Sequence, residues 1–381
     1  MSTIYIGLIS GTSMDGIDAV LVDFTDDPPQ LVAAETFQYP AALRAGLDEL
    51  RADPDAFPAA RLARLDAEVG HAFAEAANGL LAKAGIPAHR VRAIGSHGQT
   101  ILHRPEDAFP HTLQIGDPTR IAAATGVDVV ADFRRADLAA GGQGAPLAPL
   151  IHQALLANRA ENRLVVNLGG IANVTLLPAE DGVSGFDTGP ANCFLDDWYR
   201  AHHLNHAQDE NTPRFDAGGA WAASGQVDEA LLADLLREPW LHREPPKSTG
   251  IEHFSPAWLR ERLPANAEAR PADIQATLAE FSAASLVANI QRFVPFRSDR
   301  VLICGGGVAN TDLVRRIQAR LGDTPVESTA AHGIDPDFLE ATLIAWLARE
   351  FIADRPINTP PITGARHPVH LGALWPATRP H

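Results

Sequence analysis

Four runs of this chain combine hydroxyls, carboxylates, amides and glycines at spacings suited to holding a phosphorylated ligand. The first is Ser10-Gly11-Thr12-Ser13-Met14-Asp15-Gly16-Ile17-Asp18. Gly11 and Gly16 let the backbone approach a ligand closely, and successive N–H groups with the Thr12 and Ser13 hydroxyls can cradle phosphate oxygens. Asp15 and Asp18 can hold a magnesium ion through water. A plain Asp-Gly hairpin turn would use two residues here, not a run of seven small and polar ones. The second run, Asn167-Leu168-Gly169-Gly170-Ile171-Ala172-Asn173, repeats the motif later in the chain. The third is Ser184–Asn192, where Asp187 is expected at a strand end and Pro190 at the first position of a helix. A carboxylate on such rigid supports is well mounted as a general base; the competing reading is that Asp187 or Thr188 caps the helix. The fourth, Cys304-Gly305-Gly306-Gly307-Val308-Ala309-Asn310, joins a strand to a helix with room for a base or ribose against the backbone. It is not GxGxxG, so the dinucleotide fingerprint is absent.

Single residues add to these runs. Ser96-His97-Gly98-Gln99-Thr100 ends a strand and is small and polar, so it is expected to line the cleft; otherwise His97 reads as a hydrogen-bonded structural histidine. Arg134 can meet an anionic substrate group, although an arginine pair such as Arg134-Arg135 also suits a salt-bridged surface. Glu340, near the start of the last long helix, either faces the cleft or favours the helix dipole. His202, His203 and His206 lack carboxylate or cysteine partners at ligand spacing and read as a solvated helix end.

The elements that must position these residues follow an α/β pattern. Strands are expected at Ile4–Ile9, Ile17–Phe24, Gln30–Tyr39, Val91–Ser96, Thr112–Ile115 and Val127–Ala131, with helices over 41–52 and 61–84. A joint at Gly141-Gly142-Gln143-Gly144 then separates a domain of residues 1–140 from one of 141–381, the tail after about 355 packing back on the first. The second half restarts with strands Arg163–Leu168, Ala172–Leu177 and Val183–Phe186, followed by a strand at Arg300–Cys304 and helices near 227–237, 271–293, 311–320 and 336–353. Each half thus opens with strand, glycine turn, strand, strand. Two similar α/β domains with a cleft between them are the expectation.

Composition bounds the partners. The chain of 381 residues has 31 basic and 47 acidic side chains, for a net charge of -16. That surface repels nucleic acid and anionic lipid. Two cysteines build neither a disulfide framework nor a four-thiolate metal site, and neither a membrane helix nor a signal peptide is apparent, so a cytoplasmic protein is expected. Lys83 and Lys247 are the two lysines, leaving 29 of the 31 basic residues as arginine. Lys247-Ser248 follows Pro245-Pro246, so the P-loop is excluded, and no His-Arg-Asp occurs, so a protein kinase is excluded.

Taken together, the motifs SGTSMDGID (10–18), SHGQT (96–100), QIGDP (114–118), ADFR (131–134), GGQGAPL (141–147), NLGGIAN (167–173), GFDTGPAN (185–192), PPKSTG (245–250) and CGGGVAN (304–310) resemble the anhydro-N-acetylmuramic acid kinases. This family lies within the hexokinase and actin-like ATPase superfamily, and the resemblance runs from Met1 to Pro376. It implies two actin-like, ribonuclease H-like domains closing on ATP·Mg²⁺ and 1,6-anhydro-N-acetylmuramic acid. It implies hydrolysis of the anhydro bridge with phosphorylation of O6, in peptidoglycan recycling, by a homodimer. Carried over, Gly11, Thr12, Ser13, Met14, Asp15, Gly16, Ile17 and Asp18 form the first phosphate loop, and Gly169, Gly170 and Asn173 belong to the second. Gly305, Gly306, Gly307 and Asn310 meet the adenosine. Asp187 activates water, and Glu340 is a second acidic contact at the sugar. His97, Gln99, Thr100 and Asn192 are expected at the substrate, and Arg134 at its lactyl carboxylate. Another small-molecule kinase of the superfamily and a non-catalytic, actin-like nucleotide switch stand as alternatives.

Overall fold

The computed structural model describes residues 2–11, 14, 16–26, 28–180, 182–203, 214–251 and 253–377. Thr12, Ser13, Asp15 and His206 lie outside the described residues. The chain forms two compact units, one of residues 1–155 and 333–381, the other of residues 156–332.

In the first unit, β1 (Ile4–Ser10), β2 (Ile17–Asp23), β3 (Gln30–Phe37), β4 (Val91–Arg104), β5 (His111–Ile115) and β6 (Val129–Ala131) join the short strand Ala373–Trp375 in a seven-stranded sheet. The order runs β3-β2-β1-β4-β6, with β2 antiparallel to β1, and β4 parallel to both β1 and β6. In the second unit, β7 (Arg163–Leu168), β8 (Ile171–Leu177), β9 (Ser184–Pro190), β10 (Arg300–Cys304) and β11 (Val326–Ser328) run β9-β8-β7-β10-β11. Here too the second strand is antiparallel and the first, fourth and fifth are parallel. The shared order is third-second-first-fourth and then one more parallel strand, β6 in the first unit, where β5 lies off this path, and β11 in the second; it is the ribonuclease H-like arrangement of actin-like proteins, present once in each unit.

Apolar periodicity explains the layers. Leu65, Val69, Phe73 and Leu80 fall on one side of the helix Ala59–Ala84 and are buried with Ile6, Leu8 and Leu21 of the sheet. Gly85, in the left-handed region at φ 65°, ends that helix. The helix Pro271–Phe293 is buried along most of its length against β9 and its neighbours, with Ile274, Leu278 and Phe281 in the second core.

The boundaries fall elsewhere than at 140/141. Residues 141–155 stay with the first unit, where Gly144 N–H donates to the Asp137 carboxylate at 2.7 Å and Gln143 N–H to the Thr363 carbonyl at 2.9 Å. The return to the first unit begins at Gly333, not near 355, so Glu340 and its helix Leu339–Ile352 belong there. Glycines explain this packing. A Cβ on Gly7 of β1 would collide with backbone at Ala341 and Ala345, and one on Gly95 of β4 with backbone at Ile344. The helix therefore lies directly on the two central strands. Pro190 is the last residue of β9, paired with Ile171, and the following helix starts at Cys193.

Candidate active site

Asp187 lies within β9, flanked by the buried Phe186 and Thr188. Because β7, β8 and β9 are antiparallel neighbours, opposite residues share a face. Asn167 pairs with Asn173, and Asn173 with Asp187, so two amides and a carboxylate form a row across three strands. Each is half-buried while the alternate positions Val166, Val174 and Phe186 enter the core. The Asp187 carboxylate accepts from Thr249 N–H at 2.9 Å, and its own N–H donates to the Lys247 carbonyl at 3.1 Å. Burial pushes its pKa up to about 6, against the opposing effects of the Thr249 hydrogen bond and the Lys247 charge. It does not cap a helix.

The two glycine runs of this unit meet at one end of the sheet. Cys304 of β10 pairs with Asn167 of β7 in parallel. A Cβ on Gly307 would press on Leu168 at 2.5 Å and on the Asn192 amide at 2.9 Å, and one on Gly305 would collide with the Asn167 side chain. These glycines let the two turns touch, whereas nothing lies within 4 Å of a Cβ on Gly306. Asn192 donates its amide to the Leu168 and Gly169 carbonyls, both at 2.8 Å, and so braces the Gly169-Gly170 turn. Asn310 accepts from Leu313 N–H at 3.0 Å and caps the helix Thr311–Leu321. Asn167, the first residue of the second glycine run, thus stands in one row with Asn173 and Asp187.

In the first unit, the Met14 N–H donates to the Gly11 carbonyl at 3.1 Å, and Met14 takes a left-handed φ of 57° with its side chain buried. Ile17 is also buried, so these two residues can offer a nucleotide only main chain. A Cβ on Gly16 would meet Thr36 and Phe37 of β3 at 2.7 and 2.8 Å, so this glycine serves packing. Gln99 Nε2 donates to the Gly11 carbonyl at 3.2 Å and ties β4 to the loop. Thr100 Oγ1 accepts from the Gln114 amide at 3.3 Å. Asp18 accepts from the Thr36 hydroxyl at 2.6 Å.

His97 is buried and pairs with the half-buried Arg134. Arg134 Nε donates to His97 Nε2 at 2.9 Å and Nη1 to the Gly144 carbonyl at 3.0 Å. His97 Nε2 is therefore the acceptor, and its Nδ1–H is directed to the Gly98 carbonyl, 3.2 Å away. Burial first, then the Arg134 charge, pushes the His97 pKa down to about 3, leaving it neutral. His97 is thus both a structural histidine and the group that aims the guanidinium. Glu340 is exposed at its surface, with protein packed around its carboxyl. Desolvation there and the charge of Asp18 raise its pKa, while Arg134 lowers it.

His203 is exposed at the end of its helix, as expected, whereas His202 is half-buried and finds a carboxylate partner. His202 is bonded to the Trp198 carbonyl at 2.8 Å and to Glu268 at 3.1 Å, and both rings pack on Trp221.

Comparison with known proteins gives the family of the chain. The family model for anhydro-N-acetylmuramic acid kinase matches residues 3–377. The chain is 52% identical over 379 residues to the anhydro-N-acetylmuramic acid kinase of Xanthomonas campestris pv. campestris strain 8004, covering 99% of this chain and 98% of that one. It is 49% identical to that of Xylella fastidiosa, with 98% and 96% covered, and 46% identical to that of Shewanella amazonensis, with 98% and 99% covered. Among solved structures it also matches, at 14% identity and a TM-score of 0.40, a ROK family glucokinase from Streptomyces griseus, covering 91% of this chain and 99% of that one.

Proposed function

The chain belongs to the anhydro-N-acetylmuramic acid kinase family, and from that premise we propose that it uses ATP to open the 1,6-anhydro bridge of 1,6-anhydro-N-acetylmuramic acid and to phosphorylate O6. The products are N-acetylmuramic acid 6-phosphate and ADP, in the recycling of peptidoglycan. The observation that carries this reading is Asp187: a carboxylate mounted on a strand, oriented by one backbone N–H, with a pKa raised to about 6. Such a group is ionised at neutral pH yet more basic than an ordinary aspartate.

The substrate's chemistry assigns its role. An anhydro sugar has no hydroxyl at O6, so the base serves water. Asp187 takes a proton from water as the water oxygen bonds to C1. The C1–O6 bond breaks, and O6 leaves with its electron pair. That pair forms the bond to the γ-phosphorus as the bond to the ADP oxygen breaks. The N–H groups of Gly11–Asp18 and of Gly169-Gly170, with Asn173, bind phosphate oxygens, and Gly305–Asn310 take the adenosine. Arg134, aimed by His97, takes the lactyl carboxylate, and Glu340 contacts the sugar.

Magnesium, when bound, neutralises phosphate charge; Asp15 and Asp18 are the carboxylates assigned to it. Among the described residues no cluster of three or more His, Cys, Asp or Glu is ready to hold a metal. Among the described residues no helix is long and apolar enough to cross a membrane. A cytoplasmic homodimer completes the reading, and native mass spectrometry reads its subunit number.

The direct test is Asp187→Asn. Turnover should fall by ~10²–10⁴ with the KM for ATP nearly unchanged. Near-normal turnover would remove Asp187 from the chemistry.

A further inference from the structure

Pro245-Pro246-Lys247-Ser248-Thr249 runs along the edge of β9 and makes both backbone contacts to Asp187 described above. Lys247 is 9% exposed. Its ammonium donates to the Leu241 carbonyl at 2.8 Å and to Asn289 Oδ1 at 2.6 Å, and lies 4.7 Å from the Trp240 ring centroid and 4.9 Å from that of Phe293. Asn289, on the helix Pro271–Phe293, donates in turn to the Thr188 carbonyl at 3.3 Å and to the Ser285 carbonyl at 2.8 Å. Trp240 Nε1 donates to the Ser248 carbonyl at 3.2 Å. One buried network therefore grips the segment and also the residue that follows Asp187 in β9.

A buried ammonium is an expensive anchor, since a carbonyl or aromatic contact alone would be served by a neutral side chain. What the cation adds is positive charge that favours the half-buried Asp187 carboxylate. We propose that Lys247 is a positioning residue for Asp187: its ammonium locks the 245–249 segment onto β9, so that Thr249 N–H fixes Oδ2 and leaves Oδ1 to receive the proton from water. The inference rests on the reading of Asp187 as the base.

Lys247 also acts through charge. Its positive charge favours the Asp187 carboxylate; burial and then the charge of Arg292, at the end of the same helix, lower its own pKa to about 8, with Asp187 opposing. These are the charged groups of this unit that bear on the pair. Removing the ammonium should therefore raise the Asp187 pKa.

The test measures kcat against pH, the KM for ATP and Tm on the full chain for wild type, Lys247→Met, Trp240→Phe and Asp187→Asn. Lys247→Met should lower kcat about 10-fold, leave the KM for ATP alone, and move the acid limb up by about half a unit to one unit. Trp240→Phe keeps an aromatic ring and the cation but removes the Ser248 bond. It should lower kcat several-fold with the limb unmoved, and it carries the test if Lys247→Met does not fold. A drop in Tm with wild-type kcat and limb in both variants would make Lys247 a fold anchor only and overturn the inference. Near-normal turnover of Asp187→Asn would instead overturn the underlying base assignment.

Discussion

At the scale of single residues, the chemistry turns on how burial and hydrogen bonding divide the work between carboxylate and guanidinium. Asp187 must be ionised to accept a proton, so kcat should fall as pH drops through about 6. The same raised pKa makes its charge a cost to the folded state at neutral pH. For a carboxyl with a folded pKa above its unfolded value, that cost is full above about 6 and fades below about 4. Asp187→Asn should therefore raise stability at pH 7–8 by ~1–3 kcal/mol while lowering turnover as above, read by thermal melts at pH 8 and pH 4. An equal gain at both pH values would show that the carboxyl charge is not the cause. Arg134→Lys, which loses the Nε donor to His97, should raise the KM for the anhydro sugar about 10-fold. It should leave binding of an analogue without the lactyl group unchanged; an equal loss for both sugars would put Arg134 elsewhere on the substrate. At this scale much was legible in the sequence. The aspartate and glycine motifs stood out because chemistry demands unusual residue types. Lys247 did not: it reads as a failed P-loop and as one letter of PPKSTG, and its partner Asn289 is distant in sequence, so nothing there ties its ammonium to Asp187.

At the scale of elements, the turns at the strand ends carry the phosphate-binding reading. The β7–β8 turn and the β10 turn can touch only because Gly305 and Gly307 lack side chains. Gly307→Val should press Leu168 and Asn192 apart and raise the KM for ATP about 10-fold or more, with Tm lowered by a few degrees. Gly306→Ala, where a Cβ meets nothing within 4 Å, should keep Tm at wild type. A wild-type KM in Gly307→Val would separate this loop from the nucleotide. Strand and helix positions were largely readable from apolar periodicity, whereas the role of Pro190 was not. Proline at a helix start and proline at an edge-strand end look alike until the β8 register is known.

At the scale of the whole molecule, one sheet order is used twice, and the chain crosses from the first unit to the second and back. The repeat of strand, glycine turn, strand, strand was visible in the sequence, but the return point at 333 was not. Periodicity tells which face of a helix is apolar, not which sheet receives it. The receiving surface was marked by Gly7 and Gly95, single glycines far from the helix in sequence. A chain ended after residue 332 should leave the first unit without its Leu339–Ile352 layer, so protease should degrade residues 1–155 well before 156–332. Equal resistance of both parts would mean that this layer is dispensable to the first unit.

In the proposed reaction ATP cleavage is coupled to opening an anhydro sugar. ADP release from ATP·Mg²⁺ with 1,6-anhydro-N-acetylmuramic acid, with N-acetylmuramic acid, and with no sugar measures that coupling. ADP should form with the anhydro sugar alone, alongside a 6-phosphate product. ADP with the open sugar instead would make the protein an ordinary sugar kinase in which Asp187 deprotonates a hydroxyl, and ADP without any sugar would make it a nucleotide switch.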